Sequence, residues 1–541
     1  MTIRSGYAMA VPAGLVFLAG LVVFCGGAIL SLVLTVRSEQ APWSLLADPY
    51  LWNIAGFTLT QAFLSTFLSV LGGIPVAIAL HRRAHFAGRG LIIRLMQVPM
   101  RMPTLVIAFA LIGIWGQNGF LNQMLTGLGF SGIGSIYGLT GILIAHTFFN
   151  IPLVAQLLLQ GFEQVPSEYW RMAAGLNMGP VPTFRLIEWP VIRRRLPALS
   201  SLIFILCVTS FTLVLVLGGG PGATTLEVAI YQSLHFDFDP VRAVMFSLVQ
   251  IMLTGLVLLL FRQFSIPLEP GFTLSSRMRR YDGEGIVVRI ADAACIAVFA
   301  LYVLLPLARI VSSGVAADFL PLIRTSLFWQ ALTTSAVLSV VAGILALTFS
   351  AIILVARHAI SLDPSASGSL RSASIGLAAA PSALLLIPPV VLATGWFLAL
   401  PNPAETRLSG PVLVLLLNAL MALPFALRLL EPVYQVHVRR TDLLCASLAL
   451  SGWMRFRLVD WPCLRAAALR AFSFAMALSL GDLGAVALFG SDGFVTLPWL
   501  LYSKLGSYRS SDADALALLI AVICFALASL GYRTSRQEAD Q

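Results

Sequence analysis

Twelve long apolar stretches dominate this 541-residue chain and restrict what it can fold into. Only 11% of the residues are charged and 58% are hydrophobic, which leaves too little polar surface for a water-soluble globular protein. A helix that spans a bilayer needs about 20 mainly apolar residues. We therefore predict an all-α integral membrane protein with about 12 transmembrane helices, at residues 9–34, 54–80, 98–116, 136–160, 196–218, 240–261, 288–310, 327–355, 373–400, 409–430, 468–489 and 513–531.

The distribution of basic residues predicts how these helices are oriented. Cytosolic segments of membrane proteins carry an excess of Lys and Arg. If the N-terminus lies inside, 26 of the 34 basic residues fall in inner segments and seven in outer ones. We therefore predict a multi-pass membrane protein with both termini in the cytosol. The net charge of +10 follows from this bias, so we expect the lipid bilayer and no nucleic acid as a partner.

A charged, proline-ended phrase occurs twice in the chain. FRLIEWP at residues 184–190 returns as FRLVDWP at residues 456–462, which is 272 positions later. Isolated prolines and glycines keep the same offset: Pro152 with Pro424, and Gly218 with Gly490. Since chance does not hold a register over so long a stretch, we predict an internal duplication.

The duplication predicts two homologous halves that face the same way. Six spans in each half place both copies of the phrase on one side of the membrane, which is a parallel repeat. We predict a first half at residues 1–262, a second half at 287–541, and a cytosolic linker at 263–286, where Pro, Gly, Ser and Arg are frequent. The phrase itself lies in segments 161–197 and 431–467, which we name the first and second coupling segments.

Each coupling segment is predicted to form a short helix at the cytosolic face. In the first, Pro166 and Glu168 suit an initial helical turn, and Asn177 suits a left-handed end. In the second, Thr441 can cap a helix whose first turn holds Asp442. Such helices can dock into a partner's groove or rest on lipid headgroups, and both interpretations stay open. The residues that a groove could bury are Ala173, Ala174, Leu176, Ala446 and Leu448.

The spacing of both segments resembles the coupling loop in the permeases of ABC importers. That loop has an E-A-A-x-x-x-G segment followed thirteen residues later by proline, and the prolines here are Pro190 and Pro462. The family's glycine and glutamate positions hold other residues in this chain: Asn177, Ala449, Arg171 and Leu443. The resemblance rests on place and spacing, and it extends the coupling role to Glu188 and Asp460 in the repeated phrase.

Longer stretches resemble the fused, two-half permeases that import thiamine or its pyrophosphate. They include AAGLNM with FRLIEWP, LGGGPGATTLEVAIYQSL, and SLGDLGAVALFG with TLPWLLYSKLGSYRSSDADALALL. Fused ferric-iron permeases share the plan and are the alternative. The resemblance implies a type I ABC importer permease fold, a periplasmic binding protein that delivers the solute, and two ATP-binding cassette subunits at the cytosolic loops. ATP and Mg²⁺ would bind to those subunits, with no cofactor in this chain.

The residues themselves indicate that ATP is hydrolysed by another chain. A P-loop needs a lysine after glycine, and the one lysine, Lys504, follows a serine. We therefore expect a transport subunit and not an enzyme. A secondary transporter driven by an ion gradient is the competing hypothesis. Proton coupling usually employs several acidic residues inside the spans, and Asp482 is the one clear case here.

Asp482 is the main candidate for a residue in the translocation path. A carboxylate at the centre of a spanning helix costs about 2.5–3.5 kcal/mol on insertion scales, so it should face protein or water. Gly481 and Gly484 beside it permit a bend or a close helix approach. The carboxylate could contact a cationic solute or pin a gate through a hydrogen bond. Further candidates for lining or hinge residues are Asn150, Pro152 and Pro424.

Overall fold

The computed structural model describes residues 9–38, 46–117, 119–130, 134–262, 280–363, 365–384, 387–400, 403–490, 494–506 and 510–539. In these ranges the chain is almost entirely α-helical, as the apolar stretches predict. In chain order the helices are α1 (Ala10–Ser38), α2 (Pro49–Arg82), α3 (Arg89–Leu95), α4 (Thr104–Trp115), α5 (Phe120–Gly127), α6 (Leu139–Glu163), α7 (Ser167–Gly175), α8 (Pro180–Thr183), α9 (Trp189–Val208), α10 (Phe211–Leu217), α11 (Leu226–His235), α12 (Pro240–Arg262), α13 (Ile286–Ala316), α14 (Leu320–Ile323), α15 (Ser326–Ser361), α16 (Gly368–Leu384), α17 (Pro389–Ala399), α18 (Pro403–Ser447), α19 (Gly452–Arg455), α20 (Trp461–Gly481), α21 (Gly484–Phe489), α22 (Leu497–Gly506) and α23 (Ser510–Ala539).

Most of the predicted spans coincide with helices that are long and apolar enough to cross a bilayer. Nine helices of the described residues meet this criterion, and the number rises to eleven if each of two bent helix pairs is one span. The bent pairs are α9–α10 and α16–α17, with bends of 54° and 97°. An all-α membrane protein is thus confirmed. The count of twelve stays a prediction, because α23, which contains the predicted span 513–531, is not among these candidates.

The helices form two compact units, which we describe separately. Unit A contains Pro49–Val228 and Met252–Val315, and unit B contains Met1–Asp48, Ala229–Ile251 and Ala316–Gln541. Helix α1 therefore belongs to the unit that holds α15 to α23, whereas nearly all of α13 belongs to the unit that holds α2 to α10.

The predicted domain boundaries follow the duplication in the sequence, whereas units A and B are defined by how the helices pack. The two halves, 1–262 and 287–541, therefore stay a prediction. Of the predicted linker, residues 263–279 lie outside the described part of the chain, and the structure describes it from Arg280 onward.

Unit A is built around α2, α6 and α9, which pack against one another. Helices α2 and α6 approach closely at Gly73, where a Cβ atom would lie 2.5 Å from the side chain of Val154. Only a residue without a side chain fits at that distance. Large side chains of α6 are fully buried nearby: the ring of Phe162 lies 5.3 Å from that of His81 in α2, and the ring of Phe148 lies 6.1 Å from that of Tyr302 in α13.

Unit B repeats this three-helix arrangement with α15, α18 and α20. Adding 272 to the bounds of α6 and α9 gives residues 411–435 and 461–480, which lie in α18 and α20. Helices α1, α16 and α17 pack around this centre, and its buried core includes Ile353, Leu423 and Ala471. The same packing at the same sequence offset is what a duplicated fold predicts.

Helix α18 corrects one detail of the sequence analysis. It runs without interruption from Pro403 to Ser447, so Thr441 does not cap a separate helix; its hydroxyl donates to the carbonyl of His437 at 2.9 Å. That prediction is wrong because residues 431–440 contain no glycine, and Pro432 is accommodated inside the helix. The candidate hinge residues Pro152 and Pro424 also lie inside continuous helices, α6 and α18.

Candidate functional site

The first coupling segment ends its short helix with a left-handed residue. Helix α7 follows Pro166 and carries Glu168 in its first turn, as predicted. Asn177 has a φ of 48°, and the amide of Met178 donates to the carbonyl of Ala173 at 2.9 Å. This hydrogen bond across a left-handed residue is a common way to end a helix, because it satisfies a carbonyl that the last turn leaves free.

The second coupling segment has the same cap 272 residues later. Ala449 has a φ of 52°, and the amide of Leu450 donates to the carbonyl of Cys445 at 2.9 Å. The left-handed region costs an alanine roughly 1–2 kcal/mol, so the surrounding structure has to stabilise it. No residue type in the second segment signals this turn, whereas Asn177 does so in the first.

The repeated phrase forms the same wide turn in both segments. Residues Phe184–Glu188 and Phe456–Asp460 are π-helical. Each π turn leads directly into a long helix, α9 or α20, whose first turn holds Pro190 or Pro462. A missing amide is tolerated at that position. Single π turns are rare and occur frequently at functional sites, so a duplicated one marks both segments as candidates.

A buried arginine at the end of the linker holds the first π turn. The guanidinium of Arg280 donates to Glu188 Oε1 at 2.6 Å, and the two side chains are only 2% and 0% exposed. It also donates twice to Asp282, at 2.9 and 2.6 Å. Its Cζ lies 4.5 Å from the ring centroid of Trp170 in α7. One side chain therefore contacts both the short helix and the π turn of this coupling segment.

Neighbouring charges favour the ionised forms of Arg280 and Asp282. Arg82, at the end of α2, pairs with Asp292 of α13 at 3.0 Å and lies 3.4 Å from Asp282. Burial alone would lower the pKa of Arg280, but its hydrogen bond to Asp282 and the charge of Glu188 outweigh burial, so its pKa is raised. Burial would likewise raise the pKa of Asp282, but the hydrogen bond from Arg280 and the charges of Arg280 and Arg82 lower it.

The second π turn is held by an arginine of its own segment. Arg455, 6% exposed, donates to Asp442 Oδ1 at 2.6 Å and lies 3.4 Å from Asp460 Oδ2. Two histidines complete the cluster, because His437 contacts Asp460 and His358 contacts Asp442, both at 2.8 Å. The end of α18, the π turn and the end of α15 are thereby joined.

The two arginines make equivalent contacts, although they lie at positions of the chain that do not correspond in the repeat. Arg455 contacts positions 442 and 460, and Arg280 contacts the positions 272 residues earlier, 170 and 188. The position that corresponds to 455 is 183, where Thr183 carries no charge. Neither arginine was predicted from the sequence to be part of a site. The repeated phrase offered one signal for such a residue, because an acidic side chain that is buried needs a cationic partner.

Exposed apolar side chains surround both caps. They are Tyr169, Met172, Leu176, Val181 and Leu186 in the first segment, and Leu443, Leu444, Leu448, Trp453, Met454 and Leu458 in the second. Of the residues predicted for docking, Leu176 and Leu448 are 71% and 60% exposed, Ala174 and Ala446 are half-buried, and Ala173 is buried. The exposed surface therefore centres on the leucines and not on the alanines.

Asp482 lies at a break in its helix and not inside a continuous span. Helix α20 ends at Gly481 and α21 begins at Gly484, whose amide donates to Asp482 Oδ1 at 3.2 Å. The first half has the same break 272 residues earlier, at Ser210 between α9 and α10. Because the break forms with either residue, the carboxylate is not needed for the bend, and its observed contact is a hydrogen bond from the backbone amide two residues further on. A role in the path stays a prediction.

We expect Asp482→Asn to retain transport and thermal stability, since an amide oxygen can accept the same hydrogen bond. Asp482→Ala should lower the free energy of unfolding by about 1 kcal/mol, the usual net contribution of one hydrogen bond. Thermal unfolding in detergent and solute uptake by reconstituted protein measure the two effects, with Ser210→Ala as the matched control. Loss of uptake in Asp482→Asn at unchanged stability would instead place the negative charge in the path.

Buried polar contacts join the three central helices of unit A. Asn150 donates to Cys207 Sγ at 3.3 Å, and Gln61 Nε2 donates to the Cys207 carbonyl at 3.0 Å. Ser65 forms a hydrogen bond with His146 Nδ1 at 2.9 Å. Asn150 therefore links α6 to α9 through its amide nitrogen.

Glu227 is a second acidic residue in the interior that the sequence analysis did not single out. It lies in the first turn of α11 and is fully buried. The sequence does contain a signal. The stretch TLEVAIYQSL corresponds to TLPWLLYSKL in the second half, where Pro498 takes the place of Glu227.

A duplicated helical membrane fold with two matching loops is the architecture of a multi-pass transport permease. The family described as "Binding-protein-dependent transport system inner membrane component" matches residues 69–267. The thiamine transport system permease protein of Brucella abortus is 47% identical over 529 residues, which are 97% of this chain and 96% of that protein. The chain belongs to the family of thiamine transport system permease proteins and is a transport subunit of the inner membrane.

Two further relatives show how far the similarity extends. The thiamine transport system permease proteins of Escherichia coli and Salmonella typhimurium are 40% and 39% identical to this chain. Each alignment covers 92% of this chain, and 91% and 92% of the respective relative. The resemblance to the fused two-half permeases is thereby confirmed over nearly the whole chain.

Proposed function

We propose that this chain is the membrane-spanning subunit of an ATP-driven importer that moves thiamine or thiamine phosphates into the cytoplasm. The 47% identity to a thiamine transport system permease protein over nearly the whole chain supports the solute. Membership of a binding-protein-dependent family supports delivery of that solute by a periplasmic binding protein.

Two ATP-binding cassette subunits are proposed to dock at the two coupling segments. The observation that supports this docking is the duplicated loop, with the same left-handed cap, the same π turn and exposed leucines in both copies. A loop that transmits movement has to be rigid, and the buried contacts of Arg280 and Arg455 supply that rigidity. Each loop continues into a long helix, α9 or α20, which would carry the movement into the membrane.

The excess of basic residues in the inner segments supports a cytosolic position for both termini and both coupling segments. Labelling of single cysteines placed at exposed Arg185 and Arg457, in intact cells and in inverted vesicles, tests this orientation. Both positions should react only in inverted vesicles. Reaction of the two positions from opposite sides would contradict the parallel repeat.

Reconstitution tests the function directly. The chain is co-purified with its ATPase subunit and placed in proteoliposomes with ATP inside and thiamine-loaded binding protein outside. We expect uptake of radiolabelled thiamine that needs both ATP and the binding protein. Uptake in ATP-free vesicles under an imposed proton gradient would support a secondary transporter instead. Preference for ferric iron over thiamine would support the other fused permeases.

A further inference from the structure

Glu227 is a fully buried carboxylic acid without a hydrogen-bond partner. Its side chain is 0% exposed, and among the described residues neither Oε1 nor Oε2 has a partner. Burying an ionised carboxylate without a counter-charge costs several kcal/mol. The group therefore has to hold a proton or pair with a cation that the described residues do not provide.

The start of α11 is anchored on α2. The amide of Leu226 donates to Thr58 Oγ1 at 3.0 Å, and this contact brings the backbone next to Glu227 beside the same helix. The hydroxyl of Thr225, on the other side of Leu226, is also buried and has no partner among the residues that the structure describes. Two unsatisfied polar side chains thus flank one anchoring residue.

Further unsatisfied polar atoms follow the same face of α2. Gln61 lies three residues beyond Thr58; its Nε2 is bonded to Cys207, but its Oε1 has no partner in the described part of the chain. Ser65 lies seven residues beyond Thr58 and holds His146, whose Nε2 is equally unsatisfied. Seven residues of helix rise by about 10 Å, which is the length of a small two-ring molecule. We name Thr225, Glu227, Gln61 and His146 the polar strip.

Unit B shows that the anchor does not need the carboxyl group of Glu227. Its α22 is anchored in the same way, with the amide of Leu497 donating to Ser335 Oγ at 2.7 Å. The next residue is Pro498, which has no charge. Three and seven residues beyond Ser335 lie Leu338 and Ala342, both buried and apolar. Since one copy of the anchor is stable with apolar neighbours, the carboxyl group of the other copy serves a purpose other than packing.

We propose that the polar strip binds a small organic cation during transport, with Glu227 as its counter-ion and with Thr225, Gln61 and His146 as hydrogen-bonding groups. The carboxylic acid releases its proton to water as the cation arrives, so the net charge of the buried site stays constant. This inference rests on the proposed function, because thiamine carries a permanent positive charge on its thiazolium ring. It assigns the recognition of that charge within this chain to unit A.

The first test compares Glu227→Gln with the wild type in the reconstituted complex. We expect radiolabelled thiamine uptake to fall at least tenfold, while ATP hydrolysis stimulated by the loaded binding protein stays within twofold of wild type. Asp237→Asn, which removes an exposed carboxylate just after α11, is the control and should transport normally. Wild-type uptake by Glu227→Gln would overturn the inference and leave the proposed function intact, whereas absence of thiamine uptake by the wild-type complex would refute the proposed function itself.

A second test uses the wild-type chain and does not depend on a variant that folds. Dicyclohexylcarbodiimide is an apolar reagent that modifies protonated carboxyl groups inside membranes. We expect it to modify Glu227 in the resting complex, as read by peptide mass spectrometry. Saturating thiamine, loaded binding protein and ATP should reduce this modification at least threefold. Equal modification with and without thiamine, or none at rest, would overturn the inference.

Discussion

Replacing Arg280 by alanine is expected to abolish coupled transport, with thiamine uptake reduced more than tenfold. The substitution leaves Glu188 fully buried without its cationic partner. Breaking a buried ion pair in this way costs about 3–5 kcal/mol, which is enough to displace the π turn from its position in most molecules. The contact with Trp170 is lost as well, so the short helix and the π turn are no longer held together. Uptake by proteoliposomes and protease sensitivity of the loop measure the two consequences.

Three further variants separate the effect of the missing charge from the effect of a displaced loop. Arg289→Ala removes an exposed arginine from the start of α13 and should have no effect. Combining Arg280→Ala with Glu188→Gln removes the unpaired charge and should restore part of the uptake. Arg280→Lys should act as an intermediate, because lysine cannot form the two-bond contact with Asp282. Normal uptake by Arg280→Ala would show that the linker end plays no part in coupling.

Placing a charge on the exposed leucines of the coupling segments is expected to separate ATP hydrolysis from uptake. Leu176→Asp and Leu448→Asp put a carboxylate on surfaces that are 71% and 60% exposed. Folding should be unchanged, because the side chains are not part of the core. If an ATPase subunit covers them, a central apolar contact is worth about 2 kcal/mol or more, so binding of that subunit should weaken at least 30-fold. Co-purification of the ATPase subunit and uptake in proteoliposomes report this loss.

The buried alanine of the same helix supplies the contrast. Ala173→Asp introduces a charge at a position that is 7% exposed, so it should reduce expression and thermal stability. Leu176→Ser and Leu448→Ser remove apolar surface without adding a charge and should have smaller effects. If the Leu→Asp variants bind the ATPase subunit normally, these surfaces rest on lipid headgroups, which was the alternative left open by the sequence.

Much of the fold could be predicted because its signals are local in the chain. A run of apolar residues long enough to cross a bilayer forms a helix whatever surrounds it, and eleven of the predicted spans correspond to candidate helices or bent pairs. Asn177 signalled its left-handed turn because its short side chain tolerates that conformation. Ala449 carries no such signal, so only its position in the repeat marks the turn.

The breaks within spans were harder to predict, since the residues at them differ between the copies. Asp482 attracted attention as a charge, and the flanking glycines suggested a bend, but Ser210 marks the same break without either signal. Glu227 was not chosen as a candidate, for a different reason. Its stretch, TLEVAIYQSL, resembles known permeases as a whole, so the exchange of Glu227 for Pro498 between the two copies drew no attention.

The residues alone determined that this is a duplicated helical membrane protein with one charged loop in each half, because hydrophobic length, basic-residue bias and internal repetition are properties of the linear chain. The tertiary structure alone decided which charges pair. Arg280 meets Glu188 across 92 positions, and Arg455 meets Asp442 in the second copy. Such pairs form where packing brings separate segments together in the interior. Neither residue spacing nor local helix propensity predicts which charges will pair.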